Sequence, residues 1–103
     1  MKGKQQLERV QCLHPDPSKQ APRIELWKYE AVKEVILAAL VDQPGLNFKD
    51  LTQQVAARLK VDVGSVNWYT TVVKLDLEAR GVVERLAGSG TQRLQIKQGQ
   101  TKL

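Results

Sequence analysis

Few side chains in this sequence have the type and spacing that chemistry requires. Cys12 and His14 are two residues apart, so in an extended segment they point to one side and could bind a metal or act as nucleophile and base. A zinc site needs more soft ligands than the one cysteine and one histidine present. Gly88 and Gly90 lack the Lys-Ser/Thr pair and the helix that follow a phosphate-binding loop. We therefore expect no catalytic residue, no metal site and no cofactor, and not an enzyme.

A second group of polar side chains falls on a helix predicted at about 65–80. One face of this helix is expected to be buried: Trp68, Val72, Leu75 and Ala79. The opposite face is expected to lie in solvent: Asn67, Thr70, Thr71, Lys74 and Glu78. In a DNA-binding protein, Asn67, Thr70, Thr71 and Lys74 would enter the major groove, where asparagine pairs with adenine and lysine with guanine. An ordinary solvated helix face is an equally good interpretation.

A hairpin is predicted next, with strands at about 82–86 and 91–96 around a Gly88-Ser89-Gly90 tip. Arg85 and Arg93 lie on opposite strands and are candidates for contact with DNA phosphates. Each such contact steepens the salt dependence of binding by about 0.9 on a log-log plot. The alternative is a hairpin whose charges only keep the protein in solution.

The aromatic pair Trp68-Tyr69 could stack on bases or anchor a partner protein. Trp68 shares a helix face with Val72, so we expect it in the core, and we expect Trp27 to be a packing residue as well. Tyr69 falls at the boundary and is the candidate contact for a partner. Asp76 lies between the faces, where an i,i+4 pair with Arg80 would contribute a few tenths of a kcal/mol.

Two further helices must position these groups. The first is predicted at about 27–41, and Pro44-Gly45 ends it. Its inner face is expected to carry apolar residues at three- and four-residue steps: Tyr29, Val32, Ile36, Ala39 and Leu40. The second begins after the N-cap Asn47, and Ser65 and Gly81 suit the two ends of the third helix. Short extended pieces are expected at 10–13 and 23–26.

These elements predict a mainly α fold with a small antiparallel sheet, namely a winged helix-turn-helix of three helices plus a hairpin wing. We divide the chain into a polar N-terminal tail at 1–22 with a short extended segment, a domain at 23–96 and a polar tail at 97–103. The net charge of +5 comes from residues 1–24 and 84–103, each +3, whereas 25–83 carries −1. No apolar run approaches the roughly 20 residues that span a bilayer, so no membrane contact and a cytoplasmic location are expected.

Several short motifs follow one another in a defined order. They are Lys28-Tyr29-Glu30-Ala31, Pro44-Gly45-Leu46, Trp68-Tyr69 and Leu75-Asp76-Leu77-Glu78-Ala79-Arg80-Gly81. With these motifs the chain resembles, over about residues 10–96, a family of small uncharacterised bacterial winged-helix proteins. The resemblance implies a winged helix and, by analogy of fold, DNA binding, but no substrate and no catalytic residue. The family pattern has a basic residue shortly after the aromatic pair where this chain has Thr71, which speaks against phosphate binding by that turn.

Two hypotheses follow. The first is a non-enzymatic DNA-binding protein, alone or as a homodimer, with the third helix in the major groove. It places the hairpin and the two tails on phosphates and requires Lys74, Arg85 and Arg93 to share one face with the tails. The alternative is a protein-interaction module without DNA binding, which requires an exposed apolar patch around Tyr69 or on the first helix.

Overall fold

Three helices and two small antiparallel sheets form the described part of the chain, residues 8–86 and 92–97, in this computed structural model. The order is β1 (Arg9–Gln11), β2 (Arg23–Glu25), α1 (Leu26–Asp42), β3 (Leu46–Asn47), α2 (Phe48–Arg58), α3 (Val66–Ala79), β4 (Val83–Leu86) and β5 (Arg93–Ile96). The expected Gly88-Ser89-Gly90 tip and most of both expected tails, 1–7 and 98–103, lie outside the described residues.

The predicted ends of the helices are confirmed. The Asn47 side chain accepts a hydrogen bond from the Asp50 N–H at 2.7 Å and caps α2, and Ser65 caps α3 through the Trp68 N–H at 3.2 Å. Gly81 adopts a φ of +78°, a left-handed conformation that glycine reaches without a steric cost. The chain therefore turns directly from α3 into the hairpin, with the Val82 N–H donating to the Leu77 carbonyl at 2.9 Å.

The second sheet joins the hairpin to the first half of the domain. Its strand order is β3-β5-β4, all antiparallel, so β5 lies between its hairpin partner and the short strand after α1. Leu94 pairs with Leu46 on one side and with Arg85 on the other, and it is buried. The predicted fold class, mainly α with three helices, a small antiparallel sheet and a hairpin wing, is confirmed.

Regular structure begins at Arg9, within the segment 1–22 that was expected to be a polar tail with one short extended piece. Strand β1 pairs with β2 in antiparallel register, with Val10 opposite Ile24. The Cys12 N–H then donates to the Pro22 carbonyl at 3.1 Å, and the Cys12 side chain is only 2% exposed. Residues 8–25 therefore form a strand pair attached to the core.

The core lies between α1, α2, α3 and the inner side of the sheet. The predicted inner face of α1 is confirmed, because all of its expected members are buried: Tyr29, Val32, Ile36, Ala39 and Leu40. Helix α3 contacts α1, α2 and β4, so it is surrounded on several sides. Within residues 8–86 and 92–97, no helix is both long and apolar enough to cross a membrane.

Candidate functional site: the outer side of helix α3

The predicted faces of α3 were correct for Val72, which is buried, and for Asn67, which is exposed, but wrong at three other positions. Thr70 and Lys74, expected in solvent, are buried, whereas Trp68, expected in the core, is 46% exposed. The inward stripe runs through Thr70, Val73 and Leu77, at helical spacing. Because α1, α2 and β4 all contact α3, its buried surface is wide enough to enclose polar side chains as well as apolar ones.

Because α3 is turned about its axis relative to the prediction, only two of the four residues expected to contact bases are accessible on the helix. Asn67 is exposed, and Thr71 is half-buried with its Oγ1 donating to the Asn67 carbonyl at 2.9 Å. Thr70 has no exposed surface, and its Oγ1 has no hydrogen-bond partner within the described ranges. A base edge could reach Asn67 and Thr71 but not Thr70.

Lys74 belongs to a buried charge cluster. Its Nζ lies 3.2 Å from Glu78 Oε2 and 5.5 Å from the centre of the Phe48 ring. Arg85 Nε, from strand β4, lies 3.2 Å from the same Glu78 oxygen. Glu78 thus ties the hairpin to α3, and Lys74 is unavailable to a guanine.

The two arginines of the hairpin do not share a face. Arg85 pairs with Leu94 across the strands, and Leu86 pairs with Arg93. Paired residues point to the same side of a sheet and consecutive residues to opposite sides, so Arg85 points inward and Arg93 outward. Arg93 Nη1 donates to the Gly45 carbonyl at 3.0 Å. The arrangement required by the DNA hypothesis, with Lys74, Arg85 and Arg93 together, is absent from the described structure.

Asp76 is a fully buried carboxylate that holds three parts of the chain together. It accepts hydrogen bonds from the Leu13 N–H at 2.8 Å, from the Tyr29 hydroxyl at 2.5 Å and from Arg80 Nε at 2.9 Å. Arg80 also donates to the Gln11 carbonyl at 3.3 Å. The expected pair between Asp76 and Arg80 is therefore present, but inside a cluster that attaches the N-terminal segment to α3 and α1.

Burial and this carboxylate shift the pKa values of its neighbours. Burial, the hydrogen bond to Asp76 and its charge raise the pKa of the Tyr29 hydroxyl. The pKa of Arg80 is also raised, chiefly by its hydrogen bond to Asp76. These contacts keep Tyr29 neutral and Arg80 charged, as a structural cluster requires.

Cys12 and His14 line one cavity of about 650 Å³ between the N-terminal segment and the end of α3. Burial, followed by the charge of Asp76, raises the pKa of the Cys12 thiol to about 11. His14 Nδ1 accepts the Asp16 N–H at 3.0 Å. A protonated thiol is a poor nucleophile, and among the described residues no three His, Cys, Asp or Glu side chains are grouped as metal ligands.

The outer side of α3 carries a different feature, an aromatic patch formed by Trp27, Lys28, Trp68 and Tyr69. The Trp68 and Tyr69 rings meet edge to face with centres 4.8 Å apart. Lys28 Nζ lies 5.1 Å from the centre of the Tyr69 ring and 5.6 Å from that of Trp27. Trp27 is 37% exposed and Trp68 46%. The patch is continuous, and it joins the start of α1 to the start of α3.

Sequence reasoning identified Tyr69 as a contact candidate but missed Trp27 and Lys28. The two segments lie 41 residues apart, where helical spacing gives no information. One usable signal was the run Val66, Thr70, Val73 and Leu77, whose four- and three-residue steps define an inward stripe that excludes Trp68.

Comparison with known proteins gives one match. The sequence pattern of a family of unknown function (DUF6958) matches residues 9–94. No curated protein and no solved structure matches the chain.

Proposed function

Because the chain belongs to this family, whose description names no activity, we propose a function from the geometry: a non-enzymatic protein-interaction module that presents the aromatic patch to a partner protein. The observation that carries the proposal is the exposure of Trp68 and Trp27 within one connected cluster. Tryptophan and tyrosine are enriched among the residues that dominate interface energies. An exposed apolar patch around Tyr69 is also what the interaction hypothesis requires.

The energy available from covering the patch supports this proposal. A tryptophan side chain has roughly 150–250 Å² of surface. Because Trp27 is 37% exposed and Trp68 46%, about 60–100 Å² of each side chain remains in contact with water. At about 25 cal/mol per Å², covering each indole would release roughly 1.5–2.5 kcal/mol of hydrophobic free energy, which offsets part of the entropy lost on association. Lys28 lies between the Trp27 and Tyr69 rings, so a partner that covers both rings would cover its ammonium group as well.

Affinity capture from a lysate of the source organism tests the proposal. The bait is the wild-type protein, and the test variant replaces Trp27 and Trp68 by serine. Val41, 67% exposed at the far end of α1, gives the matched control Val41→Ser. We expect a partner that the wild type and Val41→Ser retain and the double variant loses. An identical set of captured proteins on all three baits would contradict the proposal.

DNA binding is the second candidate, as a winged helix-turn-helix whose third helix enters the major groove. It is supported by the exposed Asn67 at the start of α3, by the partly accessible Thr71 and by the outward Arg93. It ranks second because Lys74 is buried against Glu78, and because Arg85 contacts the same carboxylate.

Fluorescence anisotropy with labelled duplex DNA at several salt concentrations tests this second candidate. DNA binding predicts that Arg93→Ala lowers the log-log salt slope by about 0.9, as the loss of one phosphate contact does. Asn67→Ala should weaken binding without changing the slope. No binding of the wild type at low salt would eliminate DNA as a ligand.

A further inference from the structure

Lys28 is a cation that lies between two aromatic rings without an acidic partner in the described part of the chain. Its Nζ contacts the Tyr69 hydroxyl at 3.4 Å, and the faces of the Trp27 and Tyr69 rings flank it. The nearby Glu25 carboxylate accepts the Trp27 indole N–H at 2.8 Å. Across residues 8–86 and 92–97, no carboxylate lies within ion-pair distance of Lys28.

A long contact to one hydroxyl leaves most of the hydrogen-bonding capacity of this ammonium unused, since lysine has three N–H donors. The rings around it exclude water once the patch is covered, and a lower local dielectric strengthens attraction to an anion. An uncharged partner would instead bury the ammonium without a counter-charge, which costs free energy.

A second copy of this chain is a poor occupant for the same reason. In a two-fold interface a residue meets its own copy only near the symmetry axis, so an interface with its axis at Lys28 would bring the two Lys28 ammonium groups together. Like charges brought together across an interface cost several kcal/mol. The net charge of +5 on each copy adds a long-range repulsion.

We infer that the aromatic patch binds an acidic segment of another protein, with a carboxylate of that segment on Lys28 and neighbouring apolar side chains on Trp27 and Trp68. This inference rests on the proposed interaction function and specifies its partner. The positive net charge of the chain also favours an acidic partner, because it accelerates the encounter of opposite charges.

The test selects ligands from a displayed library of random dodecapeptides on the full chain and measures the affinity of synthetic copies. Both tryptophans of the sequence lie in the patch, so their emission reports binding there directly. Lys28→Met keeps an apolar stem and removes the charge, and Lys28→Arg keeps the charge. Lys33→Met is the matched control, because Lys33 lies on the same helix with its Nζ 5.9 Å from the Tyr29 ring.

We expect selected peptides that carry Asp or Glu beside apolar residues and that change the tryptophan emission. A charge-assisted hydrogen bond corresponds to a loss of about tenfold or more in affinity for Lys28→Met. Lys28→Arg should lose less, and Lys33→Met should bind like the wild type.

Two outcomes would overturn the inference while leaving the interaction function in place: selected peptides that move the emission but lack acidic residues, or equal affinity for Lys28→Met and wild type. Tighter binding of oligothymidylate than of any peptide, with the same emission change, would assign the patch to nucleic-acid bases and also overturn it. If no peptide changes the emission, both the interaction function and this inference fail.

Discussion

Replacing Asp76 by asparagine should strongly destabilise the protein although it changes few atoms. The carboxylate has no exposed surface and accepts hydrogen bonds from Leu13, Tyr29 and Arg80. Asparagine keeps one oxygen but presents an NH₂ group to at least one of these donors, and it leaves the Arg80 guanidinium without its counter-charge. Removing one partner of a fully buried charge pair costs about 3–5 kcal/mol, and because the Arg80 side chain is 40% exposed, water screens part of its charge and we expect the lower end of that range, about 3 kcal/mol.

That loss would be a large part of the roughly 5–15 kcal/mol by which such a domain is stable. Tyr29→Phe removes only one donor to the carboxylate, so it should cost less, about 1.5–3 kcal/mol. The matched control is Asp42→Asn, which breaks the exposed pair between Asp42 and Arg58 at 2.7 Å. Exposed pairs contribute about 0–1 kcal/mol.

Urea unfolding followed by far-UV circular dichroism measures all three variants on one scale. A lower midpoint with an unchanged slope reports stability alone. The reasoning is refuted if Asp76→Asn costs no more than Asp42→Asn. Asp76 would then be a solvated surface residue, and the N-terminal segment would not be attached through it.

Three further measurements check the burial of groups on α3 and near it. Thr70→Val removes a buried hydroxyl without a partner in the described structure, so it should raise the unfolding free energy, measured by urea unfolding, by about 1 kcal/mol. A lower unfolding free energy would show that the hydroxyl is hydrogen-bonded. Lys74→Met should lower the unfolding free energy by about 1–3 kcal/mol and leave the salt slope of any DNA binding unchanged. Unchanged stability together with a smaller salt slope would show that Lys74 contacts DNA. Burial raises the pKa of the Cys12 thiol from 9.0 to about 11, so the unfolded chain releases this proton more readily and high pH favours unfolding. The stability that depends on the neutral thiol is complete below about pH 9 and is lost as the pH rises through 11. Cys12→Ala should therefore make the fall of the urea midpoint with pH less steep. An equally steep fall in the variant would show that other groups cause it.

Local patterns predicted much of the fold because local interactions determine those parts of it. The inner face of α1 follows from apolar spacing alone, since one side of that helix meets the core. The caps Asn47 and Ser65 and the turn at Gly81 each depend on one side chain or one backbone conformation. Sequence reasoning therefore placed the helices, the hairpin and their ends correctly.

The orientation of α3 could not be predicted in the same way. Lys74 was expected in solvent and Asp76 between the two faces of α3, but their burial depends on partners contributed by other elements. Asp76 meets Tyr29 and Leu13, which are 47 and 63 residues away. The aromatic patch is equally non-local, because the 41 residues between Lys28 and Tyr69 separate its halves. Burying a polar group costs little free energy only when it is hydrogen-bonded, and the sequence of one helix does not show which partners other elements will supply.

The contact between Leu13 and Asp76 also has a consequence for how the chain folds. It joins residues 63 positions apart in the chain, and because such long-range contacts are costly to form early, we expect the strand pair to dock late, after the barrier to folding has been crossed. Mutations of Asp76 should then accelerate unfolding and leave the folding rate nearly unchanged. Stopped-flow mixing with urea separates the two rates, and a slower folding limb for Asp76→Asn would show that the N-terminal segment takes part in the nucleus. Late docking would make residues 8–25 the first part of the domain to detach when it unfolds.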